Sequence, residues 1–138
     1  MKVGGINMYK AISRMIKPVY AHCDLPCGVY DPMQAMIEAK SIEGILKKYP
    51  ELGDTDKQRA IFIKEQRAEL VKHHLWVLWT DYFKPKHLEK YPELHTLTWE
   101  TTKQAGKTKK TVDVVEAQKL IAGIEKISKI FWETKKPV

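Results

Sequence analysis

Asp113-Val114-Val115-Glu116-Ala117-Gln118-Lys119-Leu120-Ile121-Ala122-Gly123-Ile124-Glu125-Lys126-Ile127-Ser128-Lys129-Ile130-Phe131 is the stretch of this 138-residue chain that decides its fold. Val114, Ala117, Leu120, Ile121, Ile124, Ile127 and Phe131 recur three or four positions apart, which draws one apolar stripe along a helix. Asp113 and Glu116 are spaced as a capping box that would start it. A helix of this length gains most of its stability by packing that stripe against other elements. The rest of the chain must therefore supply partners.

It supplies three. Asp31-Pro32 is a helix start, since Asp caps orphan amides and Pro is tolerated in the first turn. From Pro32 to Lys48, Met33, Met36, Ile37, Ile42, Ile45 and Leu46 recur at helical spacing until Tyr49-Pro50 stops them. The methionines there read as core filler. Glu51 to Asp54 reads as a turn, and Thr55 with Gln58 as a capping box for the longest helix. That helix carries Ile61, Lys64, Arg67, Ala68, Val71, Leu75 and Leu78 and ends before Pro85. A third begins at Pro92, carries Leu94, Leu97 and Trp99, and ends around Ala105-Gly106, where glycine suits a C-cap. Lys107 to Lys110 reads as a charged, solvated connector.

No strand-like alternation and no internal repeat is present, and the length is that of one domain. Four amphipathic helices with short links predict an all-α, antiparallel four-helix bundle. Trp76, Trp79, Tyr82, Phe83, Trp99 and Trp132 are more aromatics than four narrow stripes accommodate, so some are expected in subunit contacts. Burial of all of them in the core is the competing expectation.

A formal charge of +7 and a pI near 9.3 would fit a nucleic-acid binder. The distribution opposes that. Lys2, Lys10, Arg14 and Lys17 lie in the first 21 residues, which hold no acid, and beyond them 20 basic residues face 17 acidic ones. Three of these cations, Lys10, Arg14 and Lys17, divide the apolar residues of this leader, leaving no uninterrupted core for a secretory signal. No stretch is long enough to span a bilayer. The expectations are therefore a cytoplasmic chain with neither nucleic acid nor membrane as partner. Alone, residues 1–21 read as a basic arm or a membrane-surface helix, ending on the small residue Ala21.

Both cysteines stand in His22-Cys23-Asp24-Leu25-Pro26-Cys27-Gly28-Val29-Tyr30-Asp31-Pro32, just before the first helix. Pro26 and Gly28 interrupt any helix, so the segment turns back and brings both sulfurs to one point. Two thiolates and an imidazole suit a late first-row metal. The bare spacing equally allows a small-loop disulfide or plain loop thiols. A zinc site of the usual kind needs a second ligand pair at matching spacing. His73-His74 is the only adjacent pair of histidines available.

The eleven-residue string resembles the metal hook of nickel-containing superoxide dismutases. The resemblance continues through Ile63-Lys64-Glu65-Gln66-Arg67-Ala68-Glu69-Leu70, Lys72-His73-His74, Leu78-Trp79, Asp81-Tyr82-Phe83-Lys84-Pro85, Glu89-Lys90-Tyr91-Pro92-Glu93-Leu94-His95 and Lys129-Ile130-Phe131-Trp132-Glu133-Thr134-Lys135-Lys136. It implies an enzyme that disproportionates superoxide to oxygen and hydrogen peroxide by cycling nickel(II) and nickel(III), with one nickel ion per subunit. The implied ligands are the amine and imidazole of His22, the backbone nitrogen and thiolate of Cys23, and the thiolate of Cys27.

By the same resemblance, residues 1–21 are a leader removed by a peptidase cutting Ala21-His22. That leaves a four-helix domain at 22–138 whose hook is 22–32, assembled as a homohexamer. Glu38 and Arg67 would orient the His22 imidazole, Tyr30 would guard the open face with Tyr82 beside it, and Asp24 would steady the hook through backbone contacts. Leu25-Pro26 is a candidate cis peptide. Without the resemblance, Glu38 and Arg67 read as surface charges and the tyrosines as packing. One departure is visible, a Tyr49 to Asp56 linker shorter than the family's. The rival classes are a metal carrier with the same hook, which needs no pair to orient its histidine, and a helical interaction module with a disulfide.

Overall fold

Asp31 starts the first helix through its side chain, Oδ1 accepting the Met33 amide hydrogen at 2.8 Å, while Pro32 occupies the N-cap position. The computed structural model of the protein describes residues 28–136. Helix α1 is Met33–Lys48, and its buried face is Ala35, Met36, Ala39, Ile42 and Leu46. Met33 and Ile37, expected on that face, are exposed. The alanines take their place because they let the neighbouring helices approach closely. Lys47 and Lys48 complement the C-terminal dipole, and Pro50 sits in a 3-10 turn, Tyr49–Glu51, that ends the helix.

Helix α2 is Asp54–Val77. The expected Thr55–Gln58 box is not what begins it. Gly53 is the extended N-cap, no side chain caps it, and Asp54 and Asp56 act on the first-turn dipole. Ala60, Lys64, Ala68, Val71 and Leu75 face inward. Leu78–Tyr82 then forms a π turn, with Phe83 N donating to Leu78 O at 2.9 Å. The extra residue in that turn swings Tyr82 and buried Phe83 toward the bundle end. A short helix the periodicity did not reveal, α3 at Pro85–Lys90, follows with Pro at its start and the Lys84 amide donating to His87 Nδ1 at 3.1 Å.

Helix α4 is Leu94–Lys109. It begins two residues after Pro92 and runs through Gly106, so Lys107–Lys109 are its last turn instead of a connector. Its inward face is Leu94, Thr98, Thr101, Ala105 and Thr108. The hydroxyls of the three buried threonines donate back to the carbonyls of Leu94, Leu97 and Ala105, which leaves methyl groups to pack. Trp99, read both as part of this helix's stripe and as one of the aromatics in excess of the core, faces out.

Helix α5 is Val114–Lys135, capped by Asp113, whose Oδ1 accepts from Val115 N at 2.9 Å. The box is half made, because Glu116 binds Gln104 and Lys119 instead of reaching back to Asp113. Ala117, Leu120, Ile124, Ile127, Ile130 and Phe131 are buried, each large one contributing about 1.5–3 kcal/mol.

α1 packs on α2 and α5, and α4 packs on the same two helices. This closes a ring of four helices around one core. Short links reverse the chain at each step, so the start of α1 meets the ends of α2 and α5. A cation fastens the opposite end. The Lys64 side chain, 1% exposed, donates to the carbonyls of Lys109 at 2.9 Å and Thr111 at 2.6 Å, tying α2 to the α4–α5 turn.

Candidate metal centre

The chain enters α1 through Gly28, whose φ of 65° is a conformation that favours glycine. Residues 22–27 lie outside the described residues, and with them the candidate ligands His22, Cys23 and Cys27, together with Asp24 and the Leu25-Pro26 bond. What the structure places is the platform against which that segment begins.

Tyr30 is buried, and its ring lies 5.4 Å from that of Tyr82, centroid to centroid. The two expected tyrosines are thus neighbours although 52 residues separate them. The Tyr82 hydroxyl meets Thr134 Oγ1 at 2.6 Å, and Thr134 in turn donates to the Phe131 carbonyl, so the phenol is the donor of the pair. Burial raises the Tyr82 pKa, with the Thr134 hydrogen bond opposing it more weakly. Tyr82 is a neutral phenol at physiological pH.

His87 stacks on Tyr82, ring centroids 5.8 Å apart and planes 19° from parallel. Burial, then the nearby Lys86 and Lys84, lower the His87 pKa, so this imidazole too is neutral at pH 7. The Lys135 ammonium lies 4.8 Å from the Tyr82 centroid. His87, Thr134 and Lys135 were not singled out from sequence. Only Pro85 two residues before His87 hinted at local order, and nothing marked Thr134.

Glu38 and Arg67 meet across α1 and α2, Arg67 Nη1 donating to Glu38 Oε2 at 3.0 Å. The carboxylate is the more enclosed partner, 14% exposed against 38%. Neither is a lone surface charge, so the pairing drawn from the resemblance is what the fold makes.

Among the described residues no group of three or more His, Cys, Asp or Glu side chains could hold a metal ion. The His73 and His74 rings stand edge to face at 5.6 Å within one helix. The ligands implied by the resemblance, Cys23, Cys27 and His22, lie outside the described residues; two thiolates and an imidazole are a soft donor set that fits nickel.

Residues 17–135 match the family described as nickel-containing superoxide dismutase. The chain is 57% identical over 129 residues to a superoxide dismutase [Ni] of Streptomyces seoulensis, covering 91% of this chain and 98% of that protein. It is 55% identical, with the same coverage, to a superoxide dismutase [Ni] of Streptomyces coelicolor. A native nickel superoxide dismutase structure superposes with a TM-score of 0.82 at 55% identity, covering 84% of this chain and all of its own. One with nickel ligation of the oxidised state gives 0.80 at 58% identity over the same shares.

Proposed function

The chain belongs to the nickel-containing superoxide dismutase family, and from that membership we propose that His22, Cys23 and Cys27 form its redox centre. Its reaction is the disproportionation of two superoxide anions and two protons to oxygen and hydrogen peroxide, with nickel as cofactor. Bound nickel supplies a one-electron couple between its divalent and trivalent states. The ligands are the His22 amine and imidazole, the Cys23 backbone nitrogen and thiolate, and the Cys27 thiolate. Thiolate and amidate donors lower the potential of the ion until superoxide can both reduce and oxidise it.

Residues outside the ligand set do the rest. The Glu38–Arg67 pair holds the His22 imidazole in orientation, as hydrogen-bonded carboxylates do for other ligating histidines. Asp24 steadies the hook. Tyr30 and Tyr82 wall the approach with their rings, narrowing it to a small diatomic anion. Lys84 and Lys135 place positive charge at the same end of the bundle, which favours arrival of that anion. The Tyr30–Tyr82 contact, which joins the last part of the candidate hook to the end of the long helix, is the observation that supports this arrangement most.

Maturation is part of the proposal. A peptidase cuts Ala21-His22, because only a free amine at His22 can be a primary-amine ligand. The solved relatives span 84% of this chain and 100% of their own, and His22 onward is 117 of 138 residues. The trimmed subunits form a homohexamer, using half-exposed aromatics such as Trp76, Trp99 and Trp132 in their contacts. The compartment is the cytoplasm, from the broken apolar pattern of the leader. To test the ligand set, Cys27→Ser in the trimmed protein should abolish stoichiometric nickel binding and dismutation together. Retention of both would overturn it.

A further inference from the structure

Ring packing leaves Tyr82 one freedom. Its ring is bounded by those of Tyr30 at 5.4 Å, Phe83 at 5.2 Å, His87 at 5.8 Å and Phe131 at 4.4 Å, with the Lys135 ammonium 4.8 Å from its centre. These contacts hold the plane of the ring, while the hydroxyl hydrogen can still turn about the C–O bond. Thr134, in the last turn of α5, ends that freedom. Its own hydroxyl carries one hydrogen, which goes to the Phe131 carbonyl at 2.6 Å. The 2.6 Å contact between Thr134 Oγ1 and the Tyr82 oxygen therefore forms with the phenol as donor.

We propose that Thr134 is a positioning residue for the superoxide reaction: by taking the Tyr82 hydrogen bond, it leaves this wall of the approach with oxygen lone pairs and no donor to offer an arriving anion. The proposal rests on the reading that superoxide passes Tyr30 and Tyr82, which meet ring to ring three residues beyond Cys27.

The chemistry favours such an arrangement. Anions are retained by O–H and N–H donors, and most strongly where water is excluded. A phenol turned toward the approach would hold superoxide, or any other small anion, short of the metal. Binding of that kind lowers no barrier. The cations at this end attract the anion by charge without supplying a clamp beside the phenol. Lys84 Nζ donates to the Asp81 carbonyl at 2.8 Å, and the Lys135 ammonium lies over the Tyr82 and Phe131 rings.

His87 does not compete with Thr134 for the phenol hydrogen. Its ring is stacked on Tyr82, planes 19° apart, and its Nδ1 accepts the Lys84 amide. The device is instead one turn of α5. Phe131 packs the Tyr82 ring, Thr134 three residues later takes its hydrogen, and Lys135 places charge over its face.

The test uses the nickel-loaded protein beginning at His22, with azide as a small-anion probe of the approach. Thr134→Val replaces the hydroxyl by a methyl group of similar shape, and Thr134→Ser keeps the hydroxyl. Thr134→Val should tighten inhibition of dismutation by azide about 10-fold, the worth of one hydrogen bond to a charged group. Thr134→Ser should match the parent. In a Tyr82→Phe background Thr134→Val should change nothing further, because the phenol through which it acts is gone. A readout without turnover is the tyrosine Raman doublet: the parent spectrum minus that of Tyr82→Phe isolates this phenol and should carry the signature of a hydrogen-bond donor. An acceptor-only signature would overturn the proposal whether or not the valine variant folds. An unchanged azide constant in Thr134→Val, or equal tightening in the Tyr82→Phe background, would overturn it in a protein that dismutates superoxide and leave the redox centre standing. An inert loaded parent would remove the centre, and the role of Thr134 with it.

Discussion

Glu38 stands in the second turn of α1 and Arg67 on another helix, yet the two side chains meet in a hydrogen-bonded ion pair. If the pair acts by aiming the His22 imidazole, Glu38→Gln and Arg67→Met should each lower dismutation by about 10–100-fold while nickel content changes little. The electron paramagnetic resonance spectrum of the trivalent ion, which reports an axial nitrogen, should shift with them. Unchanged spectra with lost activity would assign the pair a purely structural role. His87 makes a separate prediction. Its pKa is lowered in the fold by burial and by Lys86 and Lys84, so the unfolded chain binds this proton more readily. Stability should therefore fall as pH drops below about 6.5, the ordinary histidine value, and stay level above it. His87→Gln should flatten the melting-temperature profile between pH 6.5 and 5.5; an equally steep profile in the variant would exclude His87 as the source.

At the scale of elements, α4 and α5 approach closely at Gly123. A Cβ built on Gly123 would lie 2.6 Å from Thr101 Oγ1, so Gly123→Ala should destabilise the protein by about 1–3 kcal/mol. Thr101→Ala should recover part of that loss in the double variant, which denaturant unfolding measures. Additive losses would mean that the contact is relaxed elsewhere. The same helices show how far the sequence could be read. α1, α2 and α5 were legible because Ile, Leu and Val mark their stripes and Asp31, Pro32, Pro50 and Asp113 mark their ends. The inner face of α4 was not, because Thr98, Thr101 and Thr108 score as polar until their hydroxyls are seen folded back on their own helix. The π turn at Leu78–Tyr82 leaves no periodic trace in so short a span. The Glu38–Arg67 and Tyr30–Tyr82 pairs join residues 29 and 52 positions apart, a distance no local pattern encodes; only the family resemblance brought them together. His87, which stacks on Tyr82, has no such signal, and Thr134 stands in a stretch of the resemblance that gave it no role.

For the whole molecule, the hook, the bundle end and the leader form one account. The bundle brings the start of α1 against the ends of α2 and α5, so buried Tyr30 and partly buried Tyr82 meet at the end of the bundle from which residue 28 leads away. The exposed Trp76, Trp99 and Trp132 fit a chain that buries more surface on assembly. Sedimentation of the trimmed protein should accordingly give the mass of six copies, and a monomer would refute the proposed assembly. The leader matters for a chemical reason, since a peptide nitrogen at His22 is not a primary amine. The central claim is that the redox centre begins at a free His22. Superoxide dismutation should be measured for nickel-treated protein starting at His22 beside the uncut chain, its leader verified by mass. Activity and one nickel per chain only in the trimmed protein are the predicted result; equal nickel and activity in the uncut chain, or an inert trimmed protein holding its nickel, would contradict it.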